Sequence, residues 1–270
     1  MADVAASYDR DPKREWDRLE RDAYHALEFA LTMDTIQRHV TPGSRVLDAG
    51  GGPGRYAIAL CREGHRVALC DLSPGNIALA KTRLADEQAE TGQRFLSATV
   101  ADVRDLACVP DQPYDAALCL GPLSHLPDLS DRQQALASLA ATTKPGGLIF
   151  VSVSGHLAML RRLACIGKAE LGDEQVWELV QRGDSLVSGM HWHFFRADEL
   201  CRLAEGANLE TVDMLGCQSL STGLPEATIR LAEDELAWKR WHDLLWRMAR
   251  EPAVVDMAEH ILYVGRVPII

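Results

Sequence analysis

Apolar residues along the chain follow two alternating rhythms. Short apolar runs fall at residues 46–47, 66–72, 94–100, 114–120, 148–153, 209–215 and 261–267. Runs such as Val67-Ala68-Leu69-Cys70 and Ala116-Ala117-Leu118-Cys119-Leu120 are apolar on consecutive positions, as expected of parallel strands covered on both faces. Between them apolar residues return at helical spacing. Residues 8–39 read as helical, with Pro12 in a first turn and Trp16, Leu19, Ala23, Ala26 and Ala30 in sequence. Ser73 and Pro74 supply a cap and first turn for a helix carrying Ile77, Ala80 and Leu84 inward, with a stop near Thr91-Gly92. Further helices are predicted over 131–142, 198–205 and 225–250, the last bearing Trp238, Trp241, Leu245 and Met248. Strand–helix alternation of this kind predicts an α/β fold.

The most informative stretch is 44–60. Val46-Leu47 ends in Asp48, the glycine-rich turn Gly50-Gly51-Gly52-Pro53-Gly54 follows, and Ala57, Leu60 and Cys61 open a helix. Glycines there let a ligand approach the backbone, and the helix start directs free N–H groups at it. The dinucleotide fingerprint G-x-G-x-x-G fails, because its third glycine would fall at Arg55. A phosphate loop G-x-x-x-x-G-K-[ST] is also missing. Asp48, inside the strand end, would repel a pyrophosphate; it suits a ligand carrying an ammonium and a sulfonium.

This Asp-x-Gly-x-Gly-x-Gly stretch resembles the first motif of class I S-adenosylmethionine (SAM)-dependent methyltransferases of the small-molecule type. The similarity extends over residues 44–153, including Lys144-Pro145-Gly146-Gly147 before the fifth strand. The resemblance implies a Rossmann-like, seven-stranded, mostly parallel sheet with helices on both faces and an antiparallel final pair. It implies SAM as cofactor, with Asp48 near the methionine part, Gly50 and Gly52 along it, Asp71 on the ribose and Asp102 on the adenine, and Leu72, Val103 and Leu120 as further cofactor-binding residues. Asp71 lies where doubly wound folds place a ribose-binding acid. Gly121-Pro122-Leu123-Ser124-His125 replaces the Asn-Pro-Pro-Tyr type of motif, which again resembles small-molecule enzymes.

Two readings of His125 stay open: a general base, or a residue that orders the loop beside the cofactor. Residues 156–190 and 217–260 read as helical insertions into a domain spanning 41–270, with residues 1–40 as an N-terminal helical segment and possible lid. Tyr8, Trp16 and Tyr24 are the candidates to face the pocket. In Met190-His191-Trp192-His193-Phe194-Phe195, strand alternation puts His191 and His193 on one face, so either could line the substrate site, His193 as a catalytic candidate.

Composition narrows the partners. A formal charge of −11 without a basic run argues against nucleic acid. No span is long and apolar enough for a membrane, and the start of the chain lacks the features of a signal peptide. The seven cysteines form no C-x-x-C pair and read as reduced core thiols of a cytoplasmic protein, and no metal site is expected. The acceptor is expected to be a small molecule attacked at N, O, S or C. Closure of SAM on its own amino group, or non-catalytic SAM binding, are the alternatives; the oligomeric state is open.

Overall fold

The computed structural model describes residues 2–87, 94–165, 174–187 and 189–269. In chain order the helices are α1 (Ala2–Asp9), α2 (Pro12–Arg18), α3 (Ala23–His39), α4 (Arg55–Arg62), α5 (Pro74–Asp86), α6 (Leu129–Thr142), α7 (His156–Arg162), α8 (Glu174–Arg182), α9 (Ala197–Gly206), α10 (Pro225–Leu231), α11 (Glu235–Met248) and α12 (Pro252–Met257). The strands are β1 (Arg45–Ala49), β2 (Arg66–Asp71), β3 (Phe95–Val100), β4 (Tyr114–Leu120), β5 (Thr143–Ser154), β6 (Asp184–Val187), β7 (Met190–His193), β8 (Glu210–Gly216) and β9 (His260–Arg266).

Seven strands form one sheet in the order β3-β2-β1-β4-β5-β9-β8. The β1–β5 pairs are parallel, and β9 runs antiparallel to both β5 and β8. One apolar cluster lies on each face. Leu47, Ala117, Ile149 and Tyr263 point into one, with α6 and α9; Val46, Leu118, Phe150 and Leu262 point into the other, with α3 and α4. Adjacent residues of one strand thus feed opposite cores, which is why these strands read as unbroken apolar runs.

Boundaries moved where polar caps or glycines act locally. The predicted 8–39 helix is three helices. Asp11 accepts from the Arg14 amide at 3.1 Å and starts α2; Asp22 accepts from the His25 amide at 2.9 Å and starts α3. Helix α3 buries Tyr24, Leu27, Leu31 and Ile36, so it belongs to the core rather than to a cover. Residues 225–250 are two helices, with Asp234 capping α11 through the Ala237 amide. Strand β5 begins at Thr143, and Lys144-Pro145-Gly146-Gly147 forms a register shift against β4 instead of a separate turn. Ser73 caps α5 as expected, accepting from the Asn76 amide; the Thr91-Gly92 stop lies outside the described residues.

The strand expected from the alternation at 190–195 is β7; it pairs as an antiparallel hairpin with β6, at the end of the 156–190 insertion, which the spacing did not show. Cys61, Cys70, Cys119 and Cys217 are buried, but Cys108 is exposed, so not every thiol is a core residue. Gly155 joins β5 to this insertion. A Cβ there would lie 2.0 Å from the Ala258 carbonyl oxygen, a backbone atom with little freedom to move. Gly155→Ala is expected to destabilise the protein by about 1–3 kcal/mol, the usual cost of overpacking. Urea denaturation measures it; an unchanged midpoint would show that the segment at Ala258 yields.

Candidate active site

The carboxyl ends of β1, β2, β3 and β4 open onto one cavity. Ligands of open α/β sheets lie beyond these strand ends. Asp48, Gly50, Gly52, Asp71, Leu72, Asp102, Val103, Leu120 and His125 all line it. The glycine turn fits closely against the loop after β4. Gly50 has φ +73°, and a Cβ there would lie 2.2 Å from Pro122 Cγ.

Asp71 is buried at the end of β2. Its Oδ2 accepts from the Gly52 amide at 2.9 Å; its Oδ1 accepts from the Ser73 amide at 2.8 Å and from Asn76 Nδ2 at 3.2 Å. Burial raises its pKa, and these three donors oppose the rise. Asp48 lies beneath Gly51, fully buried. Burial and the nearby Asp71 charge push its pKa up to about 7, against the Ala57 amide. Asp102 also feels burial, but Arg104 outweighs it and holds the carboxylate below its ordinary range. Arg104 Nη1 reaches on to Asp131 at 2.8 Å.

The first two helices form the opposite wall, with Val4 and Tyr8 from α1, Glu15 and Arg18 from α2, and Leu19. They are tied down at two points. The Asp9 carboxylate accepts from the Gly75 amide at 2.8 Å and from the Ser73 hydroxyl, at the start of α5. Tyr8 Oη and His125 Nε2 are hydrogen-bonded at 2.9 Å. Trp192 of the β6–β7 hairpin packs on the other side of the imidazole, ring centres 4.2 Å apart. Burial pushes the His125 pKa down to about 4. Nε2 is engaged by Tyr8 and Nδ1 is buried without a hydrogen-bond partner among the described residues, a geometry that favours the loop-ordering reading of His125 over the general-base one.

The other candidates lie elsewhere. Trp16 is held between Arg55 and Arg83, 4.1 and 4.6 Å from its ring centre, on the outside of α4 and α5. The Tyr24 hydroxyl accepts from the Gly223 amide at 3.1 Å, in the core. His191 is exposed. His193 is buried between Asp184 at 2.7 Å and Glu199 at 2.6 Å, so both its nitrogens fasten the hairpin to α9 instead of facing the cavity. Trp16, Tyr24, His191 and His193 are not on the cavity wall.

Sequence reasoning missed Asn76, Glu15, Arg18 and Tyr56, all of which line the cavity. Asn76 Oδ1 is buried with no hydrogen-bond partner among the described residues. The signal for Asn76 was its place three residues after the capping Ser73, and for Glu15 and Arg18 their helical spacing. Among the described residues no group of three or more His, Cys, Asp and Glu could hold a metal.

The donor set fits SAM. Three carboxylates and an unspent amide oxygen suit hydroxyl and amino donors and a cationic centre, and they disfavour a phosphate. A methyltransferase-domain family matches residues 14–214. The ubiquinone biosynthesis O-methyltransferase of Xylella fastidiosa is 32% identical over 193 residues, 71% of each chain. In fold the chain is similar to a SAM-dependent methyltransferase of Methanosarcina mazei, with TM-score 0.63, 17% identity, and coverage of 87% of this chain and 98% of that one. It is also similar to the 1,6-didemethyltoxoflavin-N1-methyltransferase of Burkholderia thailandensis, solved with S-adenosylhomocysteine, with TM-score 0.57, 19% identity, and coverage of 99% and 87%. Its sequence match, its strand order and its acceptor-rich cavity agree: the chain belongs to the methyltransferase-domain family and is a class I SAM-dependent methyltransferase of the small-molecule type.

Proposed function

We propose that the enzyme transfers the methyl group of SAM to an oxygen of a small acceptor whose attacked end is uncharged, and that it works in the cytoplasm on no nucleic acid. The observation that carries this reading is the charge state of the wall. Arg18 is paired with Glu28 and Glu15, and Arg55 with Glu20, so carboxylates offset the charge of both arginines and an anionic acceptor gains little net attraction from this wall. Val4, Tyr8, Pro122 and His125 add apolar and aromatic surface. Oxygen as the attacked atom is supported by the Xylella fastidiosa relative, an O-methyltransferase. Among the described residues no helix is long and apolar enough to cross a membrane.

SAM, when bound, supplies a methyl group already activated on sulfonium, so the protein contributes position and surroundings. Asp71 fixes the glycine turn through the Gly52 amide. The Tyr8–His125 bond fixes the acceptor side, and helices α1 and α2 keep bulk water away from it. The His125 ring, neutral at physiological pH, places no like charge beside a sulfonium.

The test is incubation of the purified protein and SAM with phenolic, amine and thiol acceptors and with RNA, followed by mass analysis. A methylated phenol with matching S-adenosylhomocysteine is the expected result. Methyl transfer to RNA, transfer to amines or thiols alone, or consumption of SAM without any acceptor, would overturn the reading.

A further inference from the structure

Strand β7 places two ring side chains on opposite faces of its hairpin. Trp192 packs on the His125 imidazole, ring centres 4.2 Å apart, and His193 turns the other way, toward α9. The hairpin is a separate two-stranded sheet, and two paired strands alone are marginally stable in water. Backbone bonds hold its root: the Phe195 amide donates to the Ser154 carbonyl, and the His156 amide to the Phe195 carbonyl, both at 2.8 Å. Trp192 Nε1 is buried with no hydrogen-bond partner among the described residues. Packing and the anchorage of the hairpin therefore keep the indole in place.

His193 supplies that anchorage. Its Nδ1 lies 2.7 Å from Oδ1 of Asp184, its register partner in β6, and its Nε2 lies 2.6 Å from Glu199 Oε1 on α9. An ionised carboxylate only accepts, and a neutral imidazole has a single N–H. Two such bonds at once call for a ring protonated on both nitrogens. Histidine is the side chain that gains or loses this second proton near neutral pH. Arg132 of α6 completes the cluster. It acts on Glu199 and Asp184 through space, and its Nη1 donates to the carbonyls of Leu126 at 2.8 Å and Pro127 at 2.9 Å, the two residues after His125. His156 of α7 faces Glu199 and His193 as well, with Arg196 beside it. One buried cluster thus reaches His125 by two routes: through the Trp192 indole, and through the backbone that follows His125.

We propose that His193, as an imidazolium between Asp184 and Glu199, is a positioning residue for the acceptor side of the reaction. It fastens the hairpin to α9, the hairpin sets Trp192 against His125, and His125 carries the order on to Tyr8 through their 2.9 Å bond. The proposal rests on the reading of Tyr8 and His125 as acceptor wall. The cofactor end does not depend on the clasp, because Asp71 and Asp102 take their hydrogen bonds from other residues. As the pH rises and the second proton leaves, one of the two bonds is lost and the hairpin loosens. A neutral ring can donate to Asp184 or to Glu199, not to both.

The test uses the full chain with labelled histidine. Nitrogen NMR of the imidazoles should show two N–H groups on His193 at neutral pH and one on His125. His193→Gln cannot donate a charged bond to both carboxylates. Glu199→Gln keeps the side-chain size and an acceptor oxygen, so it should fold even where the first variant does not. Both should move the His125 ring signals in the direction that Trp192→Leu moves them, and both should leave the calorimetric affinity for S-adenosylhomocysteine unchanged. With the phenol methylated in the acceptor screen, kcat/KM should fall by about tenfold through KM, the scale of one hydrogen bond to a charged group. In the wild type the acceptor KM should also rise in alkaline solution, a step that His193→Gln lacks. A single N–H on His193 at neutral pH overturns the proposal. So do variants that leave the His125 signals in place, or that weaken S-adenosylhomocysteine and the acceptor alike. A wild type that methylates no phenol fails at the proposed function instead, and the NMR and calorimetry still decide the clasp.

Discussion

Arg18→Met is expected to lower stability by about 3 kcal/mol at neutral pH, the lower part of the range for breaking a buried ion pair. The guanidinium is partly exposed, but Glu28 is not, and the substitution leaves that carboxylate inside the protein with His260 and His25 as its nearby imidazoles. In the intact protein burial works to raise the Glu28 pKa, yet Arg18 and His260 outweigh it and hold the pKa below its ordinary value. A depressed carboxylate contributes stability above its unfolded pKa and loses it as pH falls through the folded one. In the variant burial goes unopposed by Arg18, and the pKa moves up. Its penalty is then greatest at neutral pH and disappears once Glu28 is protonated. Urea denaturation at neutral pH and near the ordinary glutamate range tests this. The gap between variant and wild type should shrink in acid; an equal gap at both pH values would identify lost packing as the cause.

Asp71→Ala should weaken S-adenosylhomocysteine by at least about 1.5–3 kcal/mol, the range for hydrogen bonds to a charged group. More than a ligand contact is removed. The Gly52 amide, the Ser73 amide and Asn76 Nδ2 all donate to this carboxylate, so it connects the glycine turn to the start of α5. Asp71→Asn keeps the volume and one acceptor oxygen, and should fall between alanine and wild type. Calorimetry on variants with an intact thermal transition provides the readout. Unchanged affinity in Asp71→Ala would mean that the ribose is held elsewhere.

The parts of the site that could be read from sequence are those in which local chemistry and position coincide. Asp48, Gly50, Gly52 and Asp71 sit where a strand ends and a helix begins, and short-range rules describe that junction. Ser73 and Pro74 announced α5 in the same way. The misplaced residues were aromatic or basic side chains on amphipathic segments, where periodicity says that a side chain is inward without saying toward what. Trp16 turned to Arg55 and Arg83, and Tyr24 to the backbone of Gly223. His193 found two carboxylates, one from the hairpin partner and one from α9, neither of which its own strand spacing reveals. Arg18 and Glu15 look like an ordinary helical ion pair until the fold places the cavity beside them.

The fastening of α1 has a consequence for the order of assembly. The Tyr8–His125 bond joins residues 117 positions apart, and the Asp9–Gly75 bond spans 66. Contacts of such separation carry a large loop-closure cost and form late relative to neighbouring strands. During synthesis the N-terminal region emerges first. Val4, Tyr8, Glu15 and Arg18 are therefore made before the strands that bound the cavity, and the wall they build cannot be completed until the chain has extended beyond His125.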